Sequence, residues 1–132
     1  VKRGINISYK NDGKNKYLIY GIENRIEQII ANLLDNAISF SDDNKDVIVQ
    51  VSKSEDNKVY IKILDEGQGF KEKDTNKIFK RFYSNRPDKF GQHSGLGLNI
   101  VKNLVDLHNA SIKASNREDR KGANMEIIFP RV

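Results

Sequence analysis

Apolar residues at Ile26, Ile29, Ile30, Leu33, Leu34 and Ala37 recur at i, i+3, i+4, i+7, i+8 and i+11. That period predicts a helix from about Glu23 to Phe40 with one buried face. The turn residues Ser41, Asp42, Asp43 and Asn44 end it. Elsewhere the period shortens to two. Ile5, Ile7 and Tyr9 alternate with polar neighbours, Asn11-Asp12-Gly13 supplies a turn, and Tyr17 to Tyr20 follows, so an opening hairpin is expected. Val47, Val49 and Val51, then Val59, Ile61 and Ile63, predict a second hairpin around Ser54 to Asn57. Leu98, Ile100, Val101, Leu104, Val105 and His108 mark a second long helix opening at Leu96, with His108 read as a packed core histidine. Two closing strands, at Ile112 and Ala114 and at Met125, Ile127 and Phe129, flank a turn at Arg120-Lys121-Gly122, and Pro130 stops the last. About six strands and two long helices imply an α+β sandwich, a mixed or antiparallel sheet covered by helices on one face.

The buried helix face is interrupted by Asn32 and Asn36, four residues apart and so on nearly one edge of the helix. Asparagine is a poor helix former because its side chain competes for backbone hydrogen bonds. Two in mid-helix therefore suggest a use that alanines would not serve, although a solvated helix edge is the commoner reason for such a pair. Downstream, Asp65 follows an apolar strand and precedes Gly67 and Gly69, so a carboxylate stands at a strand end where missing side chains let a planar ligand approach the backbone. A plain turn explains most such sequences taken alone. Ser94 to Leu98 places Gly95 and Gly97 at a helix start, where unpaired N–H groups and the helix dipole favour phosphate, or where a glycine permits close packing. Neither a Walker GxxxxGK[ST] nor a post-strand GxGxxG is present.

At 132 residues the chain suits one domain with a real core, and 37% hydrophobic with 31% charged residues is ordinary for a globular protein. The absence of cysteine excludes disulfides and thiolate metal sites and accords with a reducing compartment. No apolar run approaches the roughly 20 residues of a membrane span and no signal peptide opens the chain, so a soluble piece is expected, and the start at Val1 suggests one cut from a longer protein. The net charge of +5 is spread among interleaved acids, which argues for a solvated surface rather than a nucleic-acid footprint.

Taken in order, NLLDNA, DEGQGF, IFKRFY and SGLGLNIVKNLVDLH resemble the N, G1, F and G2 boxes of the ATP-binding domain of bacterial sensor histidine kinases. The resemblance runs over nearly the whole chain, as one domain covering residues 1–132. It implies the Bergerat fold, a sandwich with a mixed sheet of about five strands covered on one face by about three helices, shared with type II topoisomerase ATPase domains, heat-shock chaperones and mismatch-repair proteins. It also implies ATP and Mg²⁺, under a lid at about residues 80–95. By position, Asn36 matches the Mg²⁺-binding asparagine and Asn32 the other asparagine of the catalytic centre. Asp65, with Gly67 and Gly69, would bind the adenine amino group, Phe40 would lie beside the base, and Gly95, Leu96, Gly97 and Leu98 would meet the phosphates. Phe79 and Phe82 would anchor the lid, and Arg86 is the lid cation expected to contact phosphate.

Several positions depart from the pattern. Ser39 replaces a frequent lysine, Ile22 the usual aspartate before the helix, and Ala123 a common threonine, while His108-Asn109-Ala110 stands for HGG. The resemblance implies transfer of the γ-phosphoryl of ATP to a histidine on a separate dimerisation domain of the same parent, and from there indirectly to a response regulator. The cytoplasmic part of an inner-membrane-anchored protein would fit, reaching the membrane only through absent segments, with no nucleic-acid partner. The rivals are an ATP-hydrolysing member of the same fold, which would carry glutamate at the position of Asn32, and a non-catalytic nucleotide sensor.

Overall fold

The structure is a computed structural model and describes residues 4–13, 17–70, 78–79 and 97–131. The 18-residue helix predicted from the apolar period is α1 (Glu23–Phe40), which buries Ile29, Leu33 and Ala37, and with them Asn36. Strand β1 (Asn6–Asn11) precedes it, and β2 (Asp46–Lys53) and β3 (Val59–Leu64) follow. Helix α2 (Gly97–Leu107) then leads to β4 (Ser111–Asn116) and β5 (Ala123–Phe129). The sheet order is β1-β2-β3-β5-β4, with β1 parallel to β2 and every other pair antiparallel. Register lines up Val49, Ile63, Met125 and Ala114 in one row and Val51, Ile61, Ile127 and Ile112 in the next. These rows form the inner face on which α1 and α2 pack, and one continuous apolar core results. Each fully buried aliphatic side chain there contributes roughly 1.5–3 kcal/mol.

Five strands are present among the described residues rather than six, and the opening hairpin does not form. The turn chemistry is real: Gly13 has φ +80° and its N–H donates to Asn11 Oδ1 at 2.8 Å. Residues 17–20, however, are not a strand. Tyr17 and Ile19 pack against the core while Leu18 and Tyr20 are exposed, so their alternation serves packing rather than pairing. β1 instead pairs with β2 across α1, a crossover long enough for a parallel pair. The second hairpin forms as expected, closed by the Ser54 N–H to the Lys58 carbonyl at 2.9 Å, with Asn57 at φ +66°. Two helices, rather than about three, lie among the described residues.

The junction of the two helices accounts for two departures in the sequence. Asn109, at φ +55°, ends α2 in the left-handed conformation, with Ala110 N–H on the Val105 carbonyl and Asn109 N–H on that of Asp106, both at 3.1 Å. Asparagine thus occupies a position glycine more often fills. Ile22 offers α1 no side-chain cap. Its own N–H instead donates to His108 Nε2 at 3.1 Å, which places the ring proton on Nδ1, 2.7 Å from the Leu104 carbonyl. His108 is buried, and a Cβ on Gly21 would stand 2.8 Å from its Cδ2, so a larger residue there would force the ring to shift. His108→Ala loses both hydrogen bonds and leaves a gap, and should lower stability by about 1–3 kcal/mol. Urea denaturation checks this, as a lower midpoint at unchanged slope.

Candidate functional site

The end of β3 delivers Asp65 into the interior, where it is 2% exposed. Its N–H continues the ladder to the Ala123 carbonyl at 3.0 Å, and its Oδ1 accepts the N–H groups of Gly67 at 2.9 Å and Ala123 at 3.0 Å. Burial of a carboxylate is tolerated because hydrogen bonds replace water around it. Backbone geometry, not side-chain freedom, therefore aims this group. Ser41, fully buried at the end of α1, bridges to Gly67 in antiparallel fashion and accepts the Glu66 N–H at 3.3 Å. The C-terminal end of α1 is thus joined to the loop from Asp65 to Phe70. Glu66 Oε2 accepts the Asp46 N–H at 2.8 Å and Oε1 meets Arg120 at 3.1 Å; the first contact, then the second, hold its carboxyl below the usual range.

Asn32, Asn36 and Phe40 are spaced by four along one edge of α1, leading toward that junction. Asn36 is buried, while Asn32 and Phe40 are half-buried. Gly67 and Gly69 are both buried in the loop, Gly69 at φ +78°. Gly97 and Leu98 open α2, which packs against α1. Among the described residues, a Cβ on Gly97 would meet nothing within 4 Å. The position is one where an anion can approach a helix N-terminus. Phe79, with Ile78, is buried in the core, and the Phe79 carbonyl accepts Asn99 Nδ2–H at 3.2 Å. Arg86, Gly95, Leu96, Phe82 and the expected lid lie outside the described residues.

Side chains that the sequence reading passed over also build this region. In the sequence Ser41 reads only as a helix stop, and Gly122 only as a turn residue. Asn116 and Arg117 carry no recognisable motif, since their partners lie 46 and 52 residues away. Among the described residues no helix is long and apolar enough to cross a membrane.

Comparison with known proteins gives this geometry a family. The model of the histidine kinase-, DNA gyrase B- and HSP90-like ATPases matches residues 21–132. The sensor protein ChvG of Agrobacterium fabrum is 36% identical over 128 residues, covering 92% of this chain and 21% of that protein, so the chain spans about a fifth of its relative's length. Among solved structures, a mycobacterial sensor histidine kinase, MprB, superposes with a TM-score of 0.83 at 23% identity, covering 98% of this chain and 83% of that one, and it speaks for the fold. Full-length ShkA in complex with AMPPNP gives a TM-score of 0.79 at 25% identity, covering 97% of this chain and 26% of that one. By the family match over most of its length, the chain belongs to the histidine kinase-, DNA gyrase B- and HSP90-like ATPases, and within them it is an ATP-binding domain of the sensor histidine kinase type.

Proposed function

We propose that this domain binds ATP with Mg²⁺ and presents the γ-phosphoryl to a histidine on a dimerisation domain of the same parent, from which a response regulator receives it. The observation that carries this reading is the pair of amides, Asn32 and Asn36, on the helix whose C-terminal end joins the Asp65 loop. An amide cannot take a proton from water, so Asn32 offers no general base for hydrolysis, and the phosphoryl is kept for a nucleophile brought from outside. Full-length ShkA, similar in fold, is solved in complex with AMPPNP, which supports a nucleotide as the ligand of this domain.

The donor set suits the metal. Asn36 places a neutral, hard amide oxygen on a buried helix edge. Such an oxygen suits an ion that takes its remaining ligands from phosphates and water. Mg²⁺ held there would neutralise phosphate charge. Asp65, with Gly67 and Gly69 beside it, takes the adenine amine, Phe40 lies against the base, and the helix start at Gly97 and Leu98 meets phosphate together with Gly95, Leu96 and Arg86. Because ATP is supplied by the cytosol, the domain belongs on the cytoplasmic side of a parent anchored in the inner membrane.

The test is transfer of label from γ-labelled ATP to a supplied dimerisation domain. Label should appear on its histidine with this chain and fall by about tenfold or more with Asn36→Asp, which adds a negative charge among the phosphates. ATP binding with no label on histidine would instead make the domain a nucleotide sensor, and equal transfer by both proteins would remove Asn36 from the metal site.

A further inference from the structure

The turn between β4 and β5 grips the loop from Asp65 to Phe70 at three points. Asn116 pairs with Phe70 as one strand residue pairs with another: its Oδ1 accepts the Phe70 N–H at 2.6 Å and its Nδ2–H donates to the Phe70 carbonyl at 3.0 Å. Arg117, whose side chain is 3% exposed, donates from Nη1 to the Asp65 carbonyl at 3.2 Å. Its Nε and Nη2 are held on Asp119 at 3.0 and 2.8 Å, which fixes the plane of the guanidinium. Arg120 reaches Glu66. Both ends of the loop are therefore tied to the hairpin, Asp65 by Arg117 and Phe70 by Asn116.

Asn116 itself is exposed, so the amide adds little to the core. Its two polar groups are nevertheless both spent on one residue's backbone. Gly69 is matched to it, since a Cβ at that position would lie 2.6 Å from Asn116 Oδ1. An exposed side chain committed in this way orders the loop rather than the fold. A loop ordered before the ligand arrives spares that cost on binding.

We propose that Asn116, seconded by Arg117, is a positioning residue for nucleotide binding: by clamping the Asp65–Phe70 loop against the β4–β5 turn it holds the Asp65 carboxylate and the Gly67–Gly69 backbone in the arrangement that receives adenine. This rests on reading that loop as the base site. Neither residue touches the nucleotide. Without the clamp the loop occupies its receptive conformation for only part of the time, and affinity falls by that fraction.

Affinities for ATP, ADP and adenosine, measured on the 132-residue chain by competition with a fluorescent ATP analogue, test the idea. Asn116→Ala should weaken all three by the same factor, about three- to thirtyfold for two partly exposed hydrogen bonds, while the thermal midpoint stays within a few degrees. Arg117→Lys, which keeps the charge but loses the planar fork, should weaken all three as well. Asn116→Asp supplies a reading that a purely structural role would not move. At neutral pH the introduced carboxylate faces the Phe70 carbonyl, acceptor to acceptor, whereas its protonated form again offers one donor and one acceptor. The affinity ratio of unaltered chain to this variant for adenosine should therefore shrink toward one as pH falls. Unaltered affinity in Asn116→Ala overturns the clamp, as does a loss seen with ATP but absent with adenosine. Failure of the unaltered chain to bind any of the three overturns the nucleotide reading itself.

Discussion

Asp65→Asn is expected to weaken ATP binding by about 1.5–3 kcal/mol, the range for a hydrogen bond to a charged group, or roughly tenfold and upward. The structure explains why so small a change should matter. Oδ1 of Asp65 already accepts two backbone N–H groups, from Gly67 and Ala123. An amide at this position must keep its oxygen there, because the flipped orientation would set its NH₂ against two donors. Its nitrogen is then fixed where the second carboxylate oxygen stood, donor facing the donor of the adenine amine. Guanine carries a carbonyl where adenine carries that amine, so GTP should lose less. Calorimetric titration with both nucleotides checks this, and a fall in the ATP-to-GTP affinity ratio is the expected signature. Undiminished ATP affinity would take Asp65 out of the base site.

Gly122→Ala should destabilise the protein by about 2–4 kcal/mol, as overpacking and a strained backbone together do. Gly122 has φ +142°, and a Cβ there would stand 2.0 Å from the Asp65 carbonyl oxygen and 2.9 Å from its carbon. Those are backbone atoms with nowhere to go. The same carbonyl accepts from Arg117, the Asp65 N–H is tied to Ala123, and Gly122's own carbonyl accepts the Arg117 N–H at 2.9 Å. Relief must come from moving the β4–β5 turn away from the Asp65 loop, so ATP affinity should fall with stability. Urea denaturation with and without ATP reads both effects: a lowered midpoint, and a smaller upward shift on adding nucleotide than the unaltered chain gives. An unchanged midpoint would mean that the two loops are not in the contact described.

The sequence alone determined those features that depend on local period and local chemistry. The span of α1, the hairpin of β2 and β3, the stop at Pro130 and the burial of His108 all follow from side chains within a turn or two of one another. The order of the four motifs was enough to indicate the family, because each motif is contiguous. Tertiary structure decided what local signals cannot weigh. Residues 17–20 alternate like a strand, but Tyr17 and Ile19 find more apolar surface against the core than a sheet edge would offer, and β1 pairs across α1 instead. The Ile22 N–H at the start of α1 finds its acceptor in His108, 86 residues away. The aim of Asp65 is set by Ala123, Asn116, Arg117 and Gly122, on strands brought alongside only when β5 inserts between β3 and β4. Hydrogen bonds between distant segments leave no period in the chain, so their partners become visible only once the sheet is assembled.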